Sequence, residues 1–239
     1  MLVRQGFVII AAGILVWSSL AVRRASTACG DTPETAGRMF RRFALAAAAW
    51  VALTMGLAAS GVLGRFDLKP PPLMFLLSAI VVLGVVLARS TAGDRLARGI
   101  SMAELVGLQA FRLPLELVMH EAHVEGLMPA QMSYSGLNFD IVTGITALLL
   151  AVWLRVGHPP RAVVMGWNIV GLALLVNIVA IAVLSTPIFA AFGSTPDRVN
   201  TFVTRPPYVL LPAVMVLAAW AGHLAIFKAL ASTRAGLQR

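Results

Sequence analysis

Seven runs of about 17–23 mostly apolar residues, joined by short linkers, make up more than half of this chain. They fall at residues 6–22, 43–63, 73–89, 100–122, 140–156, 163–185 and 207–228. A run of that length crosses the hydrocarbon layer as a helix, because hydrocarbon offers backbone N–H and C=O groups no partner outside the segment. The sequence therefore predicts an all-α fold, an integral membrane bundle of seven transmembrane helices. No linker is long enough for a separate soluble domain, so residues 1–239 are expected to form one transmembrane helical domain. Composition agrees: 59% of the 239 residues are hydrophobic and only 12% are charged.

Charge sets the orientation. With the N-terminus outside and the C-terminus cytoplasmic, thirteen of the 19 Lys and Arg residues fall inside: Arg23, Arg24, Arg38, Arg41, Arg42, Arg89, Arg95, Arg98, Arg155, Arg161, Lys228, Arg234 and Arg239. Five fall outside, at Arg4, Arg65, Lys69, Arg198 and Arg205, and Arg112 lies within a span. That is a positive-inside bias, and it requires the fourth run to cross, since otherwise Arg155, Arg161 and the basic tail would move outside. The expected location is a bacterial inner (plasma) membrane, multi-pass. The net charge of +9 does not point to nucleic acid, because the basic residues sit in short linkers and not on one soluble face. A single cysteine, Cys29, excludes an intrachain disulfide. Arg23 and Arg24 interrupt the apolar region ahead of it, so the first run reads as a retained anchor.

Prolines punctuate the linkers at Lys69-Pro70-Pro71-Pro72, His158-Pro159-Pro160 and Arg205-Pro206-Pro207. Gly56, Ser60 and Gly61 would let the second span pack closely on a neighbour. Trp153, Trp167 and Tyr208, near span ends, suit membrane-interface anchoring. No internal repeat of the kind found in many transporters is visible.

The fourth span carries an unusual load. Taking Glu116 as zero and advancing 100° per residue, Gln109, Arg112, Glu116, His120 and His123 fall at about +20°, −40°, 0°, +40° and −20°. All five lie on one stripe, and ionisable side chains inside a span are costly enough to mark function. Arg112 sits about 18 Å in from the cytoplasmic side at a rise of 1.5 Å per residue. Glu116 is one turn further out, and Pro114 between them predicts a kink. Arg112 and Glu116, four apart, are placed to pair. They are the candidate catalytic residues, with Glu116 as a proton or ligand site oriented by Arg112; the competing reading is mutual neutralisation in the bundle core. His120 and His123 are spaced to reach one metal, and Asp140, opening the fifth span at the same depth, would be a third ligand. The cofactor this implies is a divalent transition metal; the alternatives are hydrogen bonding at a wet helix end for the histidines and a helix-dipole charge for Asp140. Asn168 and Asn177, nine apart in the sixth span, face opposite ways and suit interhelical hydrogen bonds. His223 lies near the inner end of the seventh span, too far from His120 to share a metal. The linker from Glu125 to Asp140, free of Lys and Arg, reads as a lid or binding loop beside the histidines.

The stretches Phe111 to His120, Asn138-Phe139-Asp140-Ile141, Trp167 to Gly171 and Asn177-Ile178 resemble a set of uncharacterised bacterial polytopic membrane proteins of about seven spans. The resemblance covers residues 105–225 and implies no activity. A seven-span outline is also similar to microbial rhodopsins, but the seventh span has no mid-membrane lysine for a retinal Schiff base. The seven-span zinc hydrolases of the ceramidase and adiponectin-receptor type carry a histidine pair in the last span, where this chain has only His223.

Three functional classes stay open. The first is an outward-facing Glu/His/Asp pocket that binds a metal or handles protons and acts on a small or lipidic ligand. The others are a proton-coupled transporter or channel, and a non-catalytic accessory subunit of a membrane complex. The expected partners are the lipid bilayer, a small-molecule or lipid ligand, and another membrane protein or a second copy of the chain. Whether the protein is an enzyme is not decided by the sequence.

Overall fold

Proline and hydroxyl side chains start the helices where the sequence places breakers. A computed structural model describes residues 2–236, so Arg239 of the basic tail lies outside the described residues. The elements are α1 (Leu2–Ala28), α2 (Pro33–Ala59), α3 (Pro72–Arg89), α4 (Thr91–Gly99), α5 (Met102–Leu108), α6 (Arg112–Val124), α7 (Asp140–Val156), α8 (Arg161–Leu184) and α9 (Leu217–Gly236), with short 3₁₀ turns between some of them. Among the described residues there is no strand. At α2 the Thr32 hydroxyl accepts the Thr35 N–H at 3.3 Å just ahead of Pro33. Ser90 caps α4 at Gly93 N–H (3.2 Å), and Ser101 caps α5 at Glu104 N–H (3.3 Å) while its hydroxyl meets the Glu104 carboxylate.

Five helical segments are long and apolar enough to cross a membrane: α1, α2, α3, α8 and Leu211–Ser232. Large aliphatics stand exposed around them, among them Ile9, Val82, Ile169 and Val176. Such a belt suits lipid and not water, and with the five helices it suggests a membrane protein. The expected fifth span coincides with α7 at both ends, 17 residues whose Val142, Ile145, Leu148, Leu149 and Val152 face outward. The expected fourth span is not one regular helix. α5 and α6 are joined by a 3₁₀ turn at Gln109–Phe111, one turn before Pro114. Pro114 has no N–H to give and its ring crowds the carbonyl of Ala110, so the path tightens there.

The α5–α6 path runs through the interior, packed against α1, α7 and α9. One apolar cluster, including Phe7, Leu73, Met119 and Met215, lies toward the α6 end. A second, including Ala25, Val106, Ala147 and Ile226, lies toward the α5 end. The polar residues of interest come between these clusters along α6 and α9.

Three local expectations are corrected. The linker after α3 contains α4, a short helix held by ion pairs at its polar face, with Arg95 on Asp31 (2.6 Å) and Asp94 on Lys228. Gly56 packs against nothing: a Cβ built there meets no atom within 4 Å. Tyr208 is not an interface anchor. It is buried against Phe202 and Phe7, with ring centroids 4.3 and 5.6 Å away, because the chain ahead of α9 turns inward.

Candidate functional site

Close approach of helices builds the site, and glycine permits it. A Cβ on Gly144 would lie 2.4 Å from the Leu113 backbone nitrogen, so only glycine lets α7 meet α6 there. On Gly171 it would lie 2.8 Å from His223 Cε1, and on Gly222 2.2 Å from Gln109 Nε2. These contacts bring α6, α7, α8 and α9 around a single buried polar network.

Arg112 is at its centre and is 1% exposed. Its Nη1 donates to Asp140 Oδ1 at 2.8 Å and to the Gly171 carbonyl at 3.2 Å. Its Nη2 meets His223 Nε2 at 3.2 Å. A guanidinium only donates, so Nε2 accepts and the imidazole carries its hydrogen on Nδ1. That hydrogen points to Asn168 Oδ1 at 2.7 Å, while Asn168 Nδ2 donates to the His223 carbonyl at 3.1 Å. Two bonds from one amide therefore clamp His223 in this tautomer.

Glu116 belongs to the same network by another route. Asn138 Nδ2 donates to Glu116 Oε2 at 2.7 Å and to the Met132 carbonyl at 3.0 Å. Asn138 Oδ1 accepts the Asp140 backbone N–H at 3.0 Å, fixing the start of α7. The 125–139 linker is thus folded inward over the site, with Met128, Gln131, Met132, Ser133 and Asn138 all buried. Gln131 Nε2 ties it to the linker after α8, through Ser185 Oγ (2.9 Å) and the Arg198 carbonyl (2.7 Å).

A cavity of about 60 Å³ adjoins this network, between α3 and α8 with α9 behind. Its walls are mainly apolar, including Leu77, Met119, Ile178 and Met215. Arg112, Glu116 and Asp140 line one part and Asn200 another. The segment Leu211–Val216, which lines it from behind, is a π-helical turn at Pro212, an irregularity that recurs at functional sites. Two buried polar atoms facing this region have no protein partner: Arg112 Nε and Asn200 Oδ1. A dry cavity that holds benzene measures about 150 Å³, so this one suits a few waters and not a ring-sized ligand.

The structure separates residues that the stripe had grouped. Arg112 and Glu116 do not pair: the guanidinium is committed to Asp140, Gly171 and His223, and the carboxylate to Asn138. The expected metal ligands His120, His123 and Asp140 are not brought together. His120 stacks on Tyr134 at 4.6 Å and meets Ser133 Oγ at 3.2 Å, with His123 6.4 Å away, while Asp140 is held by Arg112. Among the described residues no group of three His, Cys, Asp or Glu could hold a metal. Asn168 and Asn177 do diverge, Asn168 inward to His223 and Asn177 to the Leu137 carbonyl at 3.0 Å. His223 joins the network although the sequence puts it near the inner end of the seventh span, because the long side chain of the mid-span Arg112 reaches it.

The model of a family described as "Domain of unknown function (DUF8737)" matches residues 70–231. That region runs from the start of α3 into α9 and contains every residue of the network. No curated protein and no solved structure matches the chain.

Proposed function

The chain belongs to the DUF8737 family, whose description names no activity, and from its own residues we propose a seven-span bacterial inner-membrane protein whose buried centre handles protons at Glu116. In this reading the N-terminus is outside and the C-terminus cytoplasmic. Five long apolar helices supply five spans. α7 supplies a sixth, since 17 residues rise about 26 Å and its outward face is aliphatic. The α5–α6 path supplies the seventh. It tolerates Arg112 and Glu116 because other helices, and not lipid, surround it. The ion pairs Arg24–Glu104, Asp31–Arg95 and Asp94–Lys228 gather the α1–α2 turn, α4, the start of α5 and α9 on one side, as a positive-inside orientation requires.

One observation carries the proton reading. Glu116 is 1% exposed, takes a hydrogen bond from Asn138, and among the described residues has no ion-pair partner. The nearby cation is neutralised by Asp140 instead. A carboxyl group buried without a counter-ion exchanges a proton more readily than it holds a charge. The cavity beside it is also lined by Asn200 and is of a size for water.

The test is reconstitution into liposomes with an internal pH-sensitive dye, paired with infrared difference spectra across a pH step. The wild type should show proton-coupled flux and a carboxyl C=O band that responds to pH, and Glu116→Gln should lose both. Flux and band unchanged in Glu116→Gln would overturn the proposal. The accessory-subunit reading keeps one supporting observation, the Asn168–His223 clamp, which fixes α8 to α9 whether or not protons move.

A further inference from the structure

An open cleft of about 510 Å³ lies between α1 and α2, near the turn that joins them. Three guanidiniums line it: Arg23, from the last two turns of α1, and Arg38 and Arg41, from the first three turns of α2. Glu34 is the one acid in the lining, and Gly37 and Phe40 complete the wall. The three arginines are exposed, and among the described residues neither they nor Glu34 take part in an ion pair. The neighbouring acids are engaged elsewhere, Glu104 by Arg24 and Asp31 by Arg95.

Local structure holds the cleft open and one of its cations in place. Arg38 Nη2 donates to the Thr35 hydroxyl at 3.1 Å, and the Thr35 N–H is held by the Thr32 cap of α2. A Cβ built on Gly37 meets no atom within 4 Å, so no packing contact calls for glycine there and its bareness leaves the cleft unfilled. The cleft also sits at the edge of the apolar helix surface. Leu20 precedes Arg23 by three residues and Leu45 follows Arg41 by four, each one turn deeper on the same face of its helix, and both leucines are exposed.

We propose that this cleft binds the headgroup phosphate of an anionic phospholipid. Three like charges gathered from two helices repel one another until an anion joins them, and guanidinium takes phosphate oxygens in pairs. A basic pocket between spanning helices at the membrane surface is a form in which anionic headgroups are held. Phosphatidylcholine suits it less, since its choline brings a fixed positive charge to the same arginines. A positive-inside bias alone distributes arginines along the membrane border and does not require three of them around one cleft. The inference rests on the reading of α1 and α2 as membrane spans and is independent of Glu116; release of the protein from membranes by detergent, and not by alkaline carbonate, checks that reading separately.

Native mass spectrometry of the full chain in detergent, with phosphatidylglycerol and phosphatidylcholine of identical chains, reads the site. The wild type should retain phosphatidylglycerol preferentially, and Arg23→Gln and Arg38→Gln should each cut the preference roughly fivefold. Gly37→Glu, which places a carboxylate in the cleft without a steric clash, should abolish it. Arg89→Gln removes the same charge from an exposed arginine outside the cleft and should leave the preference unchanged. Millimolar inorganic phosphate should not strip the lipid. Equal retention of the two lipids by the wild type, an equal loss in Arg89→Gln, or stripping by phosphate would each overturn the proposal.

Discussion

Removing Asp140 tests the centre of the network most sharply. Its carboxylate meets Arg112 at 2.8 Å, with side-chain exposures of 1% for Arg112 and 6% for Asp140. Asp140→Ala leaves a buried guanidinium with only a carbonyl and a neutral imidazole, each at 3.2 Å. Stranding one member of a buried ion pair costs about 3–5 kcal/mol. For a chain of this length that lowers the apparent unfolding temperature by roughly 10 °C. Asp140→Asn should lose less, because an amide oxygen still accepts from Arg112. The decisive variant is the double one. Arg112→Met with Asp140→Ala removes both charges and costs about 2 kcal/mol for the hydrogen bonds lost at Gly171 and His223. It should therefore be more stable than either single variant, a strongly non-additive cycle. Thermal survival in detergent, followed by size exclusion of the folded fraction, measures all four proteins. Additive losses, or an Asp140→Ala variant within about 2 °C of wild type, would refute the idea that this pair is buried and mutually dependent.

Three further outcomes are expected. Gly144→Ala should cost about 1–3 kcal/mol, because its Cβ would meet the Leu113 backbone and not a yielding side chain, whereas Gly56→Ala, facing open space, should be neutral in the same thermal assay. Hydrogen bonds from Arg95 and Ser26 hold the Asp31 carboxyl below its ordinary value of 3.8, so its contribution to stability is complete above that value and fades as pH falls toward the folded one; the gap between wild type and Asp31→Asn should narrow as pH falls from about 6 through 3.8, and a constant gap would count against the pairing. In a Cys29→Ser background, Ser135→Cys should react with an impermeant maleimide on intact cells, and labelling only after permeabilisation would reverse the proposed orientation.

What the sequence makes legible is governed by range. α7 was bounded correctly because its signals are local: an acid at its first residue, an unbroken apolar run, and a glycine and prolines after its last turn. The interruption of the α5–α6 path was legible for the same reason, since Pro114 acts within its own helix. α4 was missed because it is too short and too charged to look like a span, and it is held by Asp31 and Lys228 from distant parts of the chain. Tyr208 looked like an interface residue only while the turn of chain ahead of α9 was unknown.

The same distinction explains the site. A helical wheel placed Arg112 and Glu116 on one face correctly, since both are buried inward. It could not assign their partners, because a guanidinium in the middle of a bundle chooses among all helices within its reach. Asp140, 28 residues on, and His223, 111 residues on, outcompete the residue one turn away. The choice is physical. Pairing with Asp140 places Arg112 where Gly171 and His223 supply further acceptors, so more of its donors are met than a Glu116 pair alone would satisfy. Glu116 is released by that choice, and its bond from Asn138 links it to the linker that covers the site. His120, in contrast, meets Tyr134 and hydroxyls of that linker, with the His123 ring beside it. The buried network therefore takes up the Arg112 half of the stripe, and Glu116 is the carboxylate that its neighbouring arginine leaves unpaired.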